Sequence, residues 1–167
     1  MTTMNLFRRC LIASVPLCLL IALYVYWQVP SSPEEALNNF YSGELAEEEL
    51  VDALILGGKK IVPLLLVRIK DKDMPQRRYA IVALGHIGDR SAVPVLEGIL
   101  EDVLELDDFR CDALEAIAIL NASAGRSFAK DNIDSSVSCI RELSQSIAAG
   151  NLPSRRSYLQ IFFGWHL

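Results

Sequence analysis

Only two histidines and four cysteines occur in this chain of 167 residues, which leaves little material for metal or nucleophile chemistry. The cysteines form no close-spaced zinc pattern, because Cys10 and Cys18 fall in an apolar N-terminal run while Cys111 and Cys139 stand far apart in the remainder. His86 lies between Gly85 and Ile87, and His166 is one residue from the C-terminus, so neither has an acid–base or ligand partner in view. Glycine-rich phosphate loops, hydrolase elbows and paired-carboxylate arrangements are also missing. The sequence therefore points away from an enzyme, with no cofactor and no metal expected.

Basic residues are absent over a long stretch: none occurs between Arg9 and Lys59. The net charge is −5, and because Arg8 and Arg9 are the only charges before residue 30, residues 30–167 carry −7. So acidic a domain repels phosphate backbones, which excludes nucleic acid as an expected partner and leaves proteins or cationic ligands. An extracytoplasmic location would allow Cys111 and Cys139 to pair, whereas their apolar helical surroundings favour free buried thiols.

Hydrophobic residues make up 51% of the chain, and the excess sits near the start. From Cys10 to Trp27, CLIASVPLCLLIALYVYW runs eighteen residues without a charge; as a helix it would span about 27 Å, near the thickness of a bilayer core. Tyr24, Tyr26 and Trp27 gather at one end, as interfacial aromatics do. Arg8 and Arg9 precede the run and Glu34 and Glu35 follow it, so the positive-inside bias predicts a single-pass anchor over residues 10–29, with residues 1–9 cytoplasmic and the domain extracytoplasmic. A cleaved signal peptide shares this layout, but its best cleavage site, Val29-Pro30-Ser31, is poor. Arg8-Arg9 also resembles a twin-arginine signal faintly.

After a linker and lead-in helix over residues 30–45, apolar residues recur at helical spacing with no sustained alternation of period two, so an all-α fold is predicted. In RRYAIVALGHIGDRSAVPVLEGILED, Ala80, Ala83, Leu84 and Ile87 share one face and Val95, Leu96, Ile99 and Val103 another, with Gly88-Asp89 between them. Gly57 and Pro63 sit 31 residues before Gly88 and Pro94; Arg77 and Ala80 recur 33 residues later as Arg110 and Ala113. Such a period implies stacked helix pairs, here over residues 46–132, with capping helices over residues 133–167.

The Ala-Leu-Gly, Ile-Gly-Asp and Ala-Val-Pro elements of RRYAIVALGHIGDRSAVPVL resemble the HEAT-like repeat family, in the short form related to phycobilisome lyase repeats. The resemblance spans roughly residues 46–130 and implies a short α-solenoid. The third unit departs from the pattern, with Ile119-Leu120-Asn121 replacing Ile-Gly-Asp and Ser127 in place of the proline, which predicts a short or irregular second helix there. Asp89 is expected to cap a helix, Arg77, Arg78 and Arg110 to link neighbouring units, and Asn121-Ala122-Ser123 fits a glycosylation sequon.

The resemblance implies a module for protein–protein interaction with a scaffold or assembly role, which the expected anchor over residues 10–29 would tether to a membrane; the alternative is an accessory subunit of a tetrapyrrole lyase or related enzyme. Arg77, Arg78 and Glu115, polar residues bordering the stack, are the candidate contacts with a protein partner. The aromatic end, Tyr158, Phe162, Phe163 and Trp165, is expected to cover the open end of the stack.

Overall fold

A computed structural model describes residues 17–42 and 47–163, with the side chains of residues 47–49, 158, 159 and 163 left aside. The chain divides into two compact units, Met1–Pro30 and Ser31–Leu167.

In the first unit a helix, α1, runs through residues 17–28, and it overturns the expected anchor. Residues 10–16 of that anchor lie outside the described residues. The described part of α1, residues 17–28, rises about 18 Å, short of a bilayer core about 30 Å thick. Among the described residues no helix is long and apolar enough to cross a membrane, so the single-pass placement, its orientation and the membrane contact through residues 10–29 fall with it. An uncharged run reports composition; spanning needs unbroken helical length.

The second unit is all-helical among its described residues: α2 (Pro33–Tyr41), α3 (Glu47–Gly57), α4 (Val62–Arg68), α5 (Arg77–Ile87), α6 (Val93–Glu101), α7 (Asp107–Leu120), α8 (Ala122–Asp131), α9 (Ser138–Ala148) and α10 (Tyr158–Phe163). Local chemistry sets several of these boundaries. Ser32 caps α2 by accepting the Glu35 N–H at 3.1 Å, with Pro33 in the first turn, where its missing N–H costs nothing. Gly88 ends α5 in the left-handed region at φ 79°, which an L side chain rarely adopts. Asp89 then accepts the Ser91 N–H at 3.0 Å, holding the short 3₁₀ turn Arg90–Ala92 that leads into α6.

Helices α3, α5 and α7 lie side by side in chain order, α6 and α8 pack on α7, and α9 packs on both α7 and α8, an arrangement consistent with an α-solenoid. One apolar face per helix builds a continuous core: Leu54 from α3, Leu65 from α4, Ile81 and Leu84 from α5, Leu96 from α6, Leu114 and Ile117 from α7 and Ile140 from α9 are fully buried. The first helices approach closely because Gly85 of α5 faces Ala116 of α7; a Cβ at Gly85 would lie 2.8 Å from the Ala116 Cα.

Two expectations change. Val103 does not continue the buried face of α6, since the helix stops at Glu101 and Val103 is 78% exposed in the following turn. The second helix of the third unit is neither short nor irregular: α8 is ten residues long, and Asn121 caps it by accepting the N–H groups of Ser123 and Ala124 at 3.2 and 3.3 Å. An Asn cap does there what Gly-Asp does in the second unit. The same capping occupies the Asn121 side chain of the sequon.

Candidate interaction surface

Several arginines hold helix ends, whereas Arg78 faces outward. Each α-helix leaves its last carbonyls without intrahelical donors, and a guanidinium meets both the missing hydrogen bonds and the negative end of the helix dipole. Arg77 Nε donates to the Ile69 carbonyl just past α4 at 2.7 Å, and Arg110, its repeat counterpart, donates from Nε to the Leu100 carbonyl of α6 at 3.0 Å. Arg90 Nε reaches the Leu120 carbonyl at the end of α7 at 3.2 Å. Arg155, from the segment between α9 and α10, donates Nε and Nη2 to the His86 and Ile87 carbonyls of α5, each at 2.9 Å. Its guanidinium rests where a Cβ on residue 88 would stand, so Gly88 supplies both the turn and the space.

Arg77, one of the three candidate contacts, is therefore an internal residue. It is 5% exposed, its Nη1 pairs with Glu105 Oε2 at 2.7 Å, and its guanidinium carbon lies 5.6 Å from the centre of the Phe109 ring. Glu105 in turn lies 4.0 Å from Lys72 Nζ, which pairs more closely with Asp102 at 2.6 Å. These bridges join the α4–α5 and α6–α7 turns.

Arg78, the next residue, points the other way because successive helical residues diverge by about 100°. Its Nε pairs with Asp112 Oδ2 at 2.6 Å and its Nη1 lies 3.9 Å from Asp108 Oδ2. Asp108, Asp112 and Glu115 follow at i, i+4 and i+7 along α7, so Glu115 continues the same stripe. Desolvation by its neighbours, with the Asp112 charge beside it, holds the exposed Glu115 carboxyl above its ordinary range. The structure thus brings Arg78 and the face of Glu115 together and sets Arg77 behind them.

Sequence periodicity missed the turn that borders this stripe. Val103, Leu104 and Leu106 are 78%, 86% and 63% exposed, yet the backbone carrying them is firmly held. Asp102 Oδ1 accepts the Leu104 N–H at 2.9 Å, the Asp102 carbonyl accepts the Glu105 N–H at 3.0 Å, and the Glu105 side chain is anchored on Arg77. Three large apolar side chains at the tip of a rigid turn are unusual for a surface loop. The available signal was the apolar Leu106 in the N-cap position of α7, where an oxygen-bearing side chain is the norm.

His86 has a structural role. Its Nδ1 accepts the Arg156 backbone N–H at 3.1 Å, and Arg156 Nη1 pairs with Asp52 Oδ1 of α3 at 2.9 Å. Burial first, then the Arg156 and Arg155 charges, lower its pKa to about 4, so the ring is neutral at pH 7 and can accept that bond. Among the described residues no group of three or more His, Cys, Asp or Glu is placed to hold a metal ion.

Arg77, Arg90, the Gly-Asp turn and the Pro-led helix α6 all fall within one segment. Residues 76–102 match the PBS lyase HEAT-like repeat. This segment comprises α5, the 3₁₀ turn and α6, and the match supports a HEAT-like helical repeat at the centre of the stack. No curated protein and no solved structure matches the chain.

Proposed function

We propose that this HEAT-like stack is a protein-binding module whose contact surface is the Val103–Leu106 turn with the adjoining Arg78, Asp112 and Glu115 stripe. The observation that carries the reading is the display of Val103, Leu104 and Leu106 on a turn anchored from beneath by Arg77 and Glu105. Rigid apolar side chains lose little freedom on binding and remove apolar area from water, and charged residues at the rim select and orient the partner. Arg77 serves this surface by positioning the turn rather than by contact. The HEAT-like match supports an assembly role of the kind helical stacks perform with their side-by-side faces. It brings no tetrapyrrole chemistry with it, because one repeat is a structural unit and not a lyase site.

The test is capture with the full chain immobilised, comparing the wild type with a Val103→Ser/Leu104→Ser variant and with Arg78→Glu, each quantified by mass spectrometry. The expected result is a partner recovered at least about tenfold less by the serine variant, since losing two apolar anchors removes about 1.4 kcal/mol or more of binding free energy. Arg78→Glu should weaken capture mainly at low salt. Equal recovery by all three proteins, each with an unchanged melting temperature, would sink the assignment.

A further inference from the structure

We propose that Cys111 and Cys139 are a redox-responsive pair that closes into a disulfide bridging α7 and α9. The two helices pack directly on each other, and Cys139 Sγ lies 3.8 Å from the Asp107 carbonyl oxygen of α7. Asp107 and Cys111 stand one turn apart on the same face of that helix, so the sulfur that reaches the Asp107 carbonyl comes in on the face that carries Cys111. Both thiols are free and only partly buried at the margin of the core, which leaves an approach for a small reagent.

Burial, then the Cys139 thiol and the Asp112 and Glu115 charges, push the Cys111 thiol far above its ordinary range. Cys111 is thereby kept protonated and exchange starts at Cys139. With a small-molecule disulfide as oxidant, the Cys139 thiolate attacks one sulfur of the reagent, whose S–S bond breaks and releases one thiolate. The Cys111 thiol passes its proton to that thiolate and its sulfur attacks Cys139 in the mixed disulfide, expelling the second half of the reagent, which takes up the proton that Cys139 had lost. Two protein thiols have then given up two electrons and two protons, and the reagent has become two thiols. The bridge encloses α8 and ties α9 to the helix that carries Asp108, Asp112 and Glu115. The inference does not depend on the proposed partner.

The experiment equilibrates the full chain in reduced and oxidised glutathione at graded ratios, blocks free thiols by alkylation, maps the peptides by mass spectrometry and melts each sample. A Cys111–Cys139 cross-linked peptide should appear in one transition as the ratio becomes oxidising. The bridged chain should melt about 5 °C or more above the reduced one, because closing a loop of this length restricts the unfolded chain. Cys111→Ser and Cys139→Ser should each abolish both effects, and if either variant fails to fold, the wild-type map alone decides. Recovery of both cysteines as alkylated or separate glutathione adducts at the most oxidising ratio would overturn the proposal. So would cross-links to Cys10 or Cys18 in its place, or a bridged chain that melts no higher than the reduced one.

Discussion

At the scale of single residues, buried charge is the most consequential feature. The Arg77 and Glu105 side chains are 4% and 6% exposed and meet at 2.7 Å, so deleting one partner strands the other in the core. Glu105→Gln is expected to cost about 3 to 5 kcal/mol in urea unfolding, against no more than about 1 kcal/mol for Lys72→Ala, whose side chain is 54% exposed. Equal losses would show that the pair at the base of the turn is not internal. His86 sets a pH dependence of known sign. Its folded pKa of about 4 lies below the ordinary 6.5, so its contribution is complete above pH 6.5 and lost as pH falls toward 4. Exposed carboxylates held low by local hydrogen bonds, among them Asp89 and Asp102, add losses of the same sign. The difference between wild type and His86→Gln isolates the histidine: melting temperatures should converge as pH drops from 6.5 to 4, and a constant gap would refute the assignment. The acceptor role of His86 was not readable in the sequence, because the donor lies 70 positions away.

At the scale of elements, close packing between first helices decides which substitutions the stack accepts. Leu84 is fully buried on α5, and Leu84→Ala should cost about 2 to 5 kcal/mol. Two glycine-to-alanine changes should have opposite signs. Alanine gains roughly 0.5 to 1 kcal/mol over glycine in a helix, and at Gly98, where nothing lies within 4 Å of the new Cβ, that gain should appear as a higher melting temperature. At Gly85 the new methyl would meet the Ala116 Cα and Cβ at 2.8 and 2.9 Å, and overpacking of about 1 to 3 kcal/mol outweighs the gain. Stabilisation by both changes would contradict the tight α5–α7 seam. The helical faces of Ala80, Ala83, Leu84 and Ile87 were legible because period 3.6 is a local pattern. The fate of Val103 was not, since it depends on α6 ending at Glu101, where Asp102 turns the backbone away.

At the scale of the whole second unit, the chain returns on itself. Arg155 caps the end of α5, and Arg156 contacts His86 and pairs with Asp52 on α3, 104 positions earlier. Arg155→Ala should leave the His86 and Ile87 carbonyls without their side-chain donor and cost about 1 to 3 kcal/mol. Hydrogen exchange should quicken first in the last turn of α5 and in residues 151–157; unchanged protection there would exclude the clamp. The helical class, the centre of the repeat and the apolar faces of its helices were written in the sequence by itself, because propensity, periodicity and turn chemistry act within a few residues. Tertiary structure alone decided that Arg77 is internal while Arg78 faces outward, that Cys139 meets the face of α7 that carries Asp107 and Cys111, and that Arg155 closes α5. Each of these depends on which surfaces meet when distant helices bury their apolar faces together, and linear spacing carries no record of that meeting.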